Sequence, residues 1–196
     1  MDASPAGIAN LSRMRRTFGL ENETEPTVQR ENNSPFSTVQ GIFYRAVDPT
    51  FRECALDGSR SEGRFSPLET PTLYLSASPE GVAAAMIAHT DSESPSREIL
   101  SFDVAATNIA DLRDRTTMAA IGVDIDAASA PWQNDVAAGR TPASWKIRET
   151  LLGLGARGLI DPSRKRPGLW HLTLFAWNQP GAPSVTGFPG GTHPQS

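Results

Sequence analysis

Apolar residues fall along this chain in short runs, separated by polar breaks marked with proline and glycine. Val39-Gln40-Gly41-Ile42-Phe43-Tyr44-Arg45-Ala46-Val47 is the first run that predicts a strand, and Asp48-Pro49 ends it. Pro67 and Pro71 then stiffen an extended lead-in to a second short strand, Leu73-Tyr74-Leu75-Ser76. Ser78-Pro79-Glu80 follows as a helix start. Ser78 is the N-cap, Pro79 the first helical residue and Glu80 an acid at the positive end of the dipole, and the alanine run carries the helix to about His89.

Asp91 to Ser96 reads as a polar loop, and Arg97 to Val104 alternates like a strand. Asn108 to Arg115 predicts a turn or short helix with Asp111, Arg113, Asp114 and Arg115 solvated. The pattern is weak over 122–141, where Trp132 is expected to pack a loop against the core. From Pro142 to Leu154 the spacing predicts a helix with Ile147, Leu151 and Leu154 on one face, stopped by Gly155. Gly158 to Ser163 predicts a buried strand running into a turn, with Lys165 and Arg166 in the loop after it. Leu169 to Trp177 is nearly all apolar, which implies a sheet covered on both faces.

This order of elements predicts an α+β domain, a mixed sheet with surrounding helices, over 37–178. Residues 1–36 are poor in large apolar side chains and read as a flexible N-terminal arm, with one short helix around Ile8–Phe18 whose Arg13, Arg15 and Arg16 form a solvated basic face. Residues 179–196, rich in proline and glycine, read as a disordered tail.

Composition narrows the function classes. A length of 196 residues favours one domain. A formal charge of −4 gives no reason to expect direct nucleic-acid binding. The single cysteine, Cys54, excludes an internal disulfide, fits a reducing compartment and reads as an inert small residue. No run approaches the roughly 20 apolar residues of a membrane span, and the first residues lack the apolar core of a signal peptide, so a cytoplasmic location is expected. Neither a G-x-x-x-x-G-K-[ST] loop nor a strand-linked G-x-G-x-x-G occurs, and Cys/His metal clusters are missing.

The residues that carry candidate chemistry gather around the central stretch. Arg60 and Arg64 in the loop, Tyr74 in the strand and a helix N-terminus beyond it suit an anionic, aromatic ligand such as a nucleotide. Arg45 lies in apolar company, where an unpaired charge is costly, and needs either a carboxylate partner or a ligand anion. His171, inside an apolar strand, reads as a satisfied sheet residue rather than a catalytic base.

Three blocks together resemble the RES domain, named for its Arg, Glu and Ser. They are Phe43-Tyr44-Arg45-Ala46; Gly63-Arg64-Phe65-Ser66-Pro67 with Thr70-Pro71-Thr72-Leu73-Tyr74-Leu75-Ser76 and the alanine-rich helix; and Gly158-Leu159-Ile160-Asp161-Pro162-Ser163 with the closing strand. Each block is weak alone, and their order and spacing make the match specific. The resemblance implies an ADP-ribosyltransferase-like fold and a toxin that consumes NAD+ as a substrate by phosphorolysis or hydrolysis, with no separate cofactor. It also implies an Xre-type antitoxin protein as partner, and it leaves a homo-oligomer open. An alternative within the family is ADP-ribosyl transfer to a protein. Under this reading Arg45 and Arg64 bind phosphates, Tyr74 and Tyr44 face the nicotinamide end, and Ser163 supports the ribose. The plain alternatives are a loop salt bridge for Arg64, a core ring for Tyr74 and a turn residue for Ser163.

One position departs from the pattern. The family's glutamate falls where this chain has Ala85, which can neither stabilise a developing cation nor act as a base. Three explanations stand: a chain altered to be harmless, a subfamily whose carboxylate comes from elsewhere, or a silent NAD- or partner-binding module. Glu80 is the nearest substitute in sequence, with Glu69 and Glu62 in the adjacent loop.

Overall fold

The computed structural model describes residues 25–86 and 97–187. Its seven strands are β1 (Thr27–Arg30), β2 (Ser37–Val47), β3 (Leu73–Ser76), β4 (Glu98–Asp111), β5 (Gly158–Pro162), β6 (Trp170–Leu174) and β7 (Ser184–Gly187). The helices are α1 (Pro79–Met86), α2 (Arg115–Ala120), α3 (Ile125–Ser129), α4 (Trp132–Ala137) and α5 (Ala143–Gly153), with a 3-10 helix at Pro49–Cys54. The fold is α+β. All strands join one sheet in the order β1-β2-β3-β6-β5-β4-β7, and β2 also pairs with β4. That extra pairing closes the sheet into a ring, β2-β3-β6-β5-β4, in which only β4 and β5 run parallel.

Strand alternation divides the core into two. Phe43, Leu73, Leu75, Phe102, Ile160, Leu172 and Leu174 form the interior cluster. On the other face Leu159 and Phe175 pack with Phe65, Met118, Ile125, Ile147 and Leu151 of the loop and helices that cover the sheet. Successive residues of one strand therefore serve different layers, which is why Leu169 to Trp177 is apolar almost throughout.

The predicted caps are present. Ser78 Oγ accepts the Gly81 N–H at 3.1 Å, and Gly155 follows α5 in the left-handed region at φ 91°. Several expectations are corrected. Residues 27–30, assigned to the flexible arm, pair with β2, and residues 184–187, assigned to the disordered tail, pair with β4. Both strands are four residues long, and their partners rather than their own pattern hold them extended. β4 runs on to Asp111 instead of breaking near Asn108, because β2 and β5 hold its opposite edges at Ile109. The weakly patterned stretch 122–141 contains α3 and α4, and Trp132 opens α4. Leu154 lies beyond the last turn of α5 and is exposed, unlike Ile147 and Leu151. The expected helix at Ile8–Phe18 and the residues around His89 lie outside the described residues.

Candidate functional site

The loop Gly63–Ser66 is tied down by hydrogen bonds along its whole length. Gly63 and Ser66 exchange backbone hydrogen bonds, N–H to O, of 2.9 and 3.2 Å. Three successive carbonyls are then taken by α5: Trp145 Nε1 donates to Gly63 O at 2.9 Å, Ser144 Oγ to Arg64 O at 2.5 Å, and Arg148 Nη1 to Phe65 O at 2.8 Å. The Tyr74 phenol sits inside the loop. It accepts the Phe65 N–H at 3.2 Å and shares a hydrogen bond of 2.9 Å with Ser66 Oγ. Gly63 is required here by contact, since a Cβ would stand 2.7 Å from Ser66 Oγ and 2.7 Å from Tyr74 Oη. Burial raises the phenol above its ordinary range, so it stays protonated.

This frame fixes Arg64, which is 9% exposed. Its Nη1 donates to Ala128 O at 2.8 Å and Ala130 O at 2.9 Å, anchoring the end of α3. Its Nε is buried and has no hydrogen-bond partner. Burial, and then the Arg164 charge, push the guanidinium down to about 10, and it remains a cation at neutral pH. Arg64 lines a small pocket with Phe65, Asp161, Arg164 and residues of α3.

Sheet register continues the site. Tyr44 pairs with Ser76, Ser76 with His171, and His171 with Asp161. Directly paired residues share a face, so one row crosses β2, β3, β6 and β5 on the face that carries the helices. Ser76 Oγ and His171 Nδ1 meet at 3.0 Å. Burial and the Arg164 charge lower the imidazole's proton affinity, and it is neutral near pH 7. Burial lifts the Asp161 carboxyl to about 7 against the opposing pull of Arg64 and Arg164. No ion pair among the described residues joins Asp161 to either arginine.

The residues singled out in the sequence are thus only partly assembled. Arg64, Tyr74 and Tyr44 lie on the helix-covered face. Arg45 does not join them: between Phe43 and Val47 it faces the interior cluster, and its Nη1 donates to Ala55 O at 2.5 Å. Neither a carboxylate nor a ligand anion is its nearest partner but a backbone carbonyl, with Asp57 supplying the favourable field. Ser163 is buried and accepts the Arg166 N–H at 3.3 Å, which ties down the loop carrying Arg164. Glu80 occupies the first turn of α1, and Ala85 lies exposed on the same helix. Cys54 is exposed in the 3-10 helix. Four members of the site escaped the sequence reading: Ser76, Asp161, Arg164 and Arg148. Arg148 carried a signal, being a cation beside Ile147 on the apolar side of α5.

The RES domain model matches residues 40–189. The chain belongs to the RES-domain family. It is also similar in structure to a chain of the M. tuberculosis MbcT–MbcA toxin–antitoxin complex, at 15% identity and a TM-score of 0.48, over 82% of this chain and 84% of that one. No curated protein matches. Among the described residues no helix is long and apolar enough to cross a membrane, and no group of His, Cys, Asp or Glu is arranged to hold a metal ion.

Proposed function

We propose that this RES-domain protein is the toxin of a toxin–antitoxin pair and cleaves the nicotinamide–ribose bond of NAD+. The observation that carries this reading is the buried Arg64 with its unpartnered Nε. A guanidinium fixed through Nη1, with a donor left over, is a preorganised cation for a phosphate oxygen, and its desolvation is already met by the fold. Arg164 is the second cation of the same pocket. Neutral His171 and Ser76 offer hydrogen bonds to ribose hydroxyls, and Tyr44 sits at the far end of their row toward the nicotinamide. Ser163 serves the site by holding the loop of Arg164, and Arg45 on the interior face holds Ala55 O. NAD+ is the substrate and no further cofactor is invoked. Water or phosphate is the acceptor, and the family resemblance makes an Xre-type antitoxin the partner that blocks the cleft.

Nicotinamide release from NAD+, with and without phosphate, tests the reading for the chain as written and for Ala85→Glu. Turnover by the chain as written supports it, turnover by Ala85→Glu alone supports the rival below, and the phosphate dependence identifies the acceptor. Label from NAD+ on a macromolecule would instead indicate ADP-ribosyl transfer. The exposed Ala85 favours one rival reading, a silent module that binds NAD+ or a protein partner. That rival predicts NAD+ binding with no turnover by the chain as written.

A further inference from the structure

We propose that Asp161 supplies the carboxylate that faces the reacting ribose carbon in this chain. The inference rests on NAD+ being the substrate and assigns the group that Ala85 cannot provide. Among the acids considered from sequence, Glu62 and Glu69 are exposed in the loop before β3, and Glu80 belongs to the first turn of α1. Asp161 instead stands in the row that runs through His171 and Ser76 to Tyr44. It shares its pocket with Arg64 and Arg164, yet neither closes on it as an ion pair. Two cations and one uncommitted carboxylate in one partly buried pocket suit a substrate with an anionic pyrophosphate and a carbon that becomes positive as its bond breaks.

The charged and titratable groups facing Asp161 are Arg64 from the loop before β3, Tyr74 of β3, Arg164 from the loop after β5 and His171 of β6. α3 contributes only Ile125, Ala128 and Ser129 to the pocket. Burial outweighs the two cations and lifts the carboxyl from 3.8 to about 7, so it exchanges its proton near neutral pH. In the step, the bond between ribose C1′ and nicotinamide N1 breaks and its electron pair leaves on neutral nicotinamide. Ionised Asp161 stabilises the oxocarbenium-like carbon. With water as acceptor, the oxygen bonds to C1′ and its proton passes to Asp161 and then to solvent. With phosphate dianion, its oxygen forms the bond and no proton moves.

The test is kcat and KM for nicotinamide release from pH 5 to 9, for the chain as written, Ala85→Glu, Asp161→Asn, Asp161→Glu and the double variant Asp161→Asn/Ala85→Glu. The expected kcat rises about tenfold per pH unit to a plateau above about 7. Asp161→Asn lowers it about 100-fold with KM within about threefold and without the acid limb. Adding Ala85→Glu restores turnover to the Asp161→Asn chain, which a purely structural role for Asp161 would not allow. A kcat for Asp161→Asn within about threefold of the parent, acid limb intact, overturns the proposal. If Asp161→Asn does not fold, Asp161→Glu decides: an acid limb at unchanged pH overturns the proposal and a displaced one supports it. Turnover by Ala85→Glu alone, with the parent inert, removes Asp161 and leaves NAD+ as the ligand of a silent site. Inactivity of both removes the two together.

Discussion

At the scale of single residues, the site is dominated by groups whose burial is only partly compensated. Asp161 is the clearest case, and its effect on stability has a definite sign. Its folded value, about 7, lies above the ordinary 3.8, so the folded chain holds more protons than the unfolded chain between those values. The stability this carboxyl contributes is fully present below about pH 4 and is lost as pH rises through about 7. His171, with lowered proton affinity, acts in the opposite sense below its ordinary 6.5. The difference between Asp161→Asn and the parent cancels that second contribution. We expect Asp161→Asn to be more stable than the parent at pH 8, with the advantage shrinking steadily toward pH 4. Urea unfolding across that range measures it, and a difference independent of pH contradicts the burial argument.

At the scale of elements, the decisive unit is α5 against the Gly63–Ser66 loop. Arg148 donates through Nη1 to Phe65 O and, at 2.6 Å, to Thr72 Oγ1, and its guanidinium lies 4.6 Å from the Phe175 ring centroid. Arg148→Leu keeps much of the apolar stem, strands Phe65 O and leaves Thr72 Oγ1 only its donation to Thr70 O. It should cost about 1–3 kcal/mol per acceptor left unpaired, read from the denaturation midpoint, and under the proposed function should weaken NAD+ binding by loosening Arg64. Gly63→Ala attacks the same loop from inside, where the new methyl meets Tyr74 Oη, and overpacking of this kind costs about 1–3 kcal/mol. Wild-type stability in Arg148→Leu would mean that Ser144, Trp145 and Tyr74 hold the loop without it.

At the scale of the whole molecule, the outer strands β1 and β7 are joined to the closed ring through β2 and β4. β7 covers the edge of β4 between Phe102 and Ala105, and Val185 is 1% exposed in the interior cluster. Asn178 prepares that return, with φ 52°, its Nδ2 donating to Val185 O at 2.8 Å and its Oδ1 accepting the Val185 N–H at 2.8 Å. Truncation after Trp177 removes the clip and the strand and bares an apolar edge. Loss of the buried Val185 side chain alone is worth about 1.5–3 kcal/mol. The truncated chain should unfold at lower urea and aggregate at concentrations where the parent stays monodisperse, as light scattering would record. An unchanged midpoint would show that β7 is dispensable to the core.

How much of this was legible beforehand follows from what each feature depends on. β3 at Leu73–Ser76, the Ser78 cap, the start of α1 and the stop at Gly155 were readable, because each is dictated by neighbours within about one helical turn. The strand cores of β2, β5 and β6 were readable for the same reason, since alternation and apolar runs report burial locally. Membership of the RES family lay in the order of three blocks. β1 and β7 were missed because four-residue strands are stabilised by their partners and leave no pattern of their own. The site divided in the same way. Arg64 and Tyr74, ten positions apart in the loop and the strand it leads into, were found together. Arg45 and Arg64 looked like one pair of cations, and alternation along β2 placed Arg45 on the opposite face. Asp161 was visible only as a residue in a motif. Its meeting with His171, Ser76 and Arg64 depends on the register of β5, β6 and β3 and on a loop nearly one hundred positions earlier in the chain. By itself the sequence determined the local elements and the family. Only tertiary structure decided which charges share a pocket, because strand register and burial are properties of partners distant along the chain.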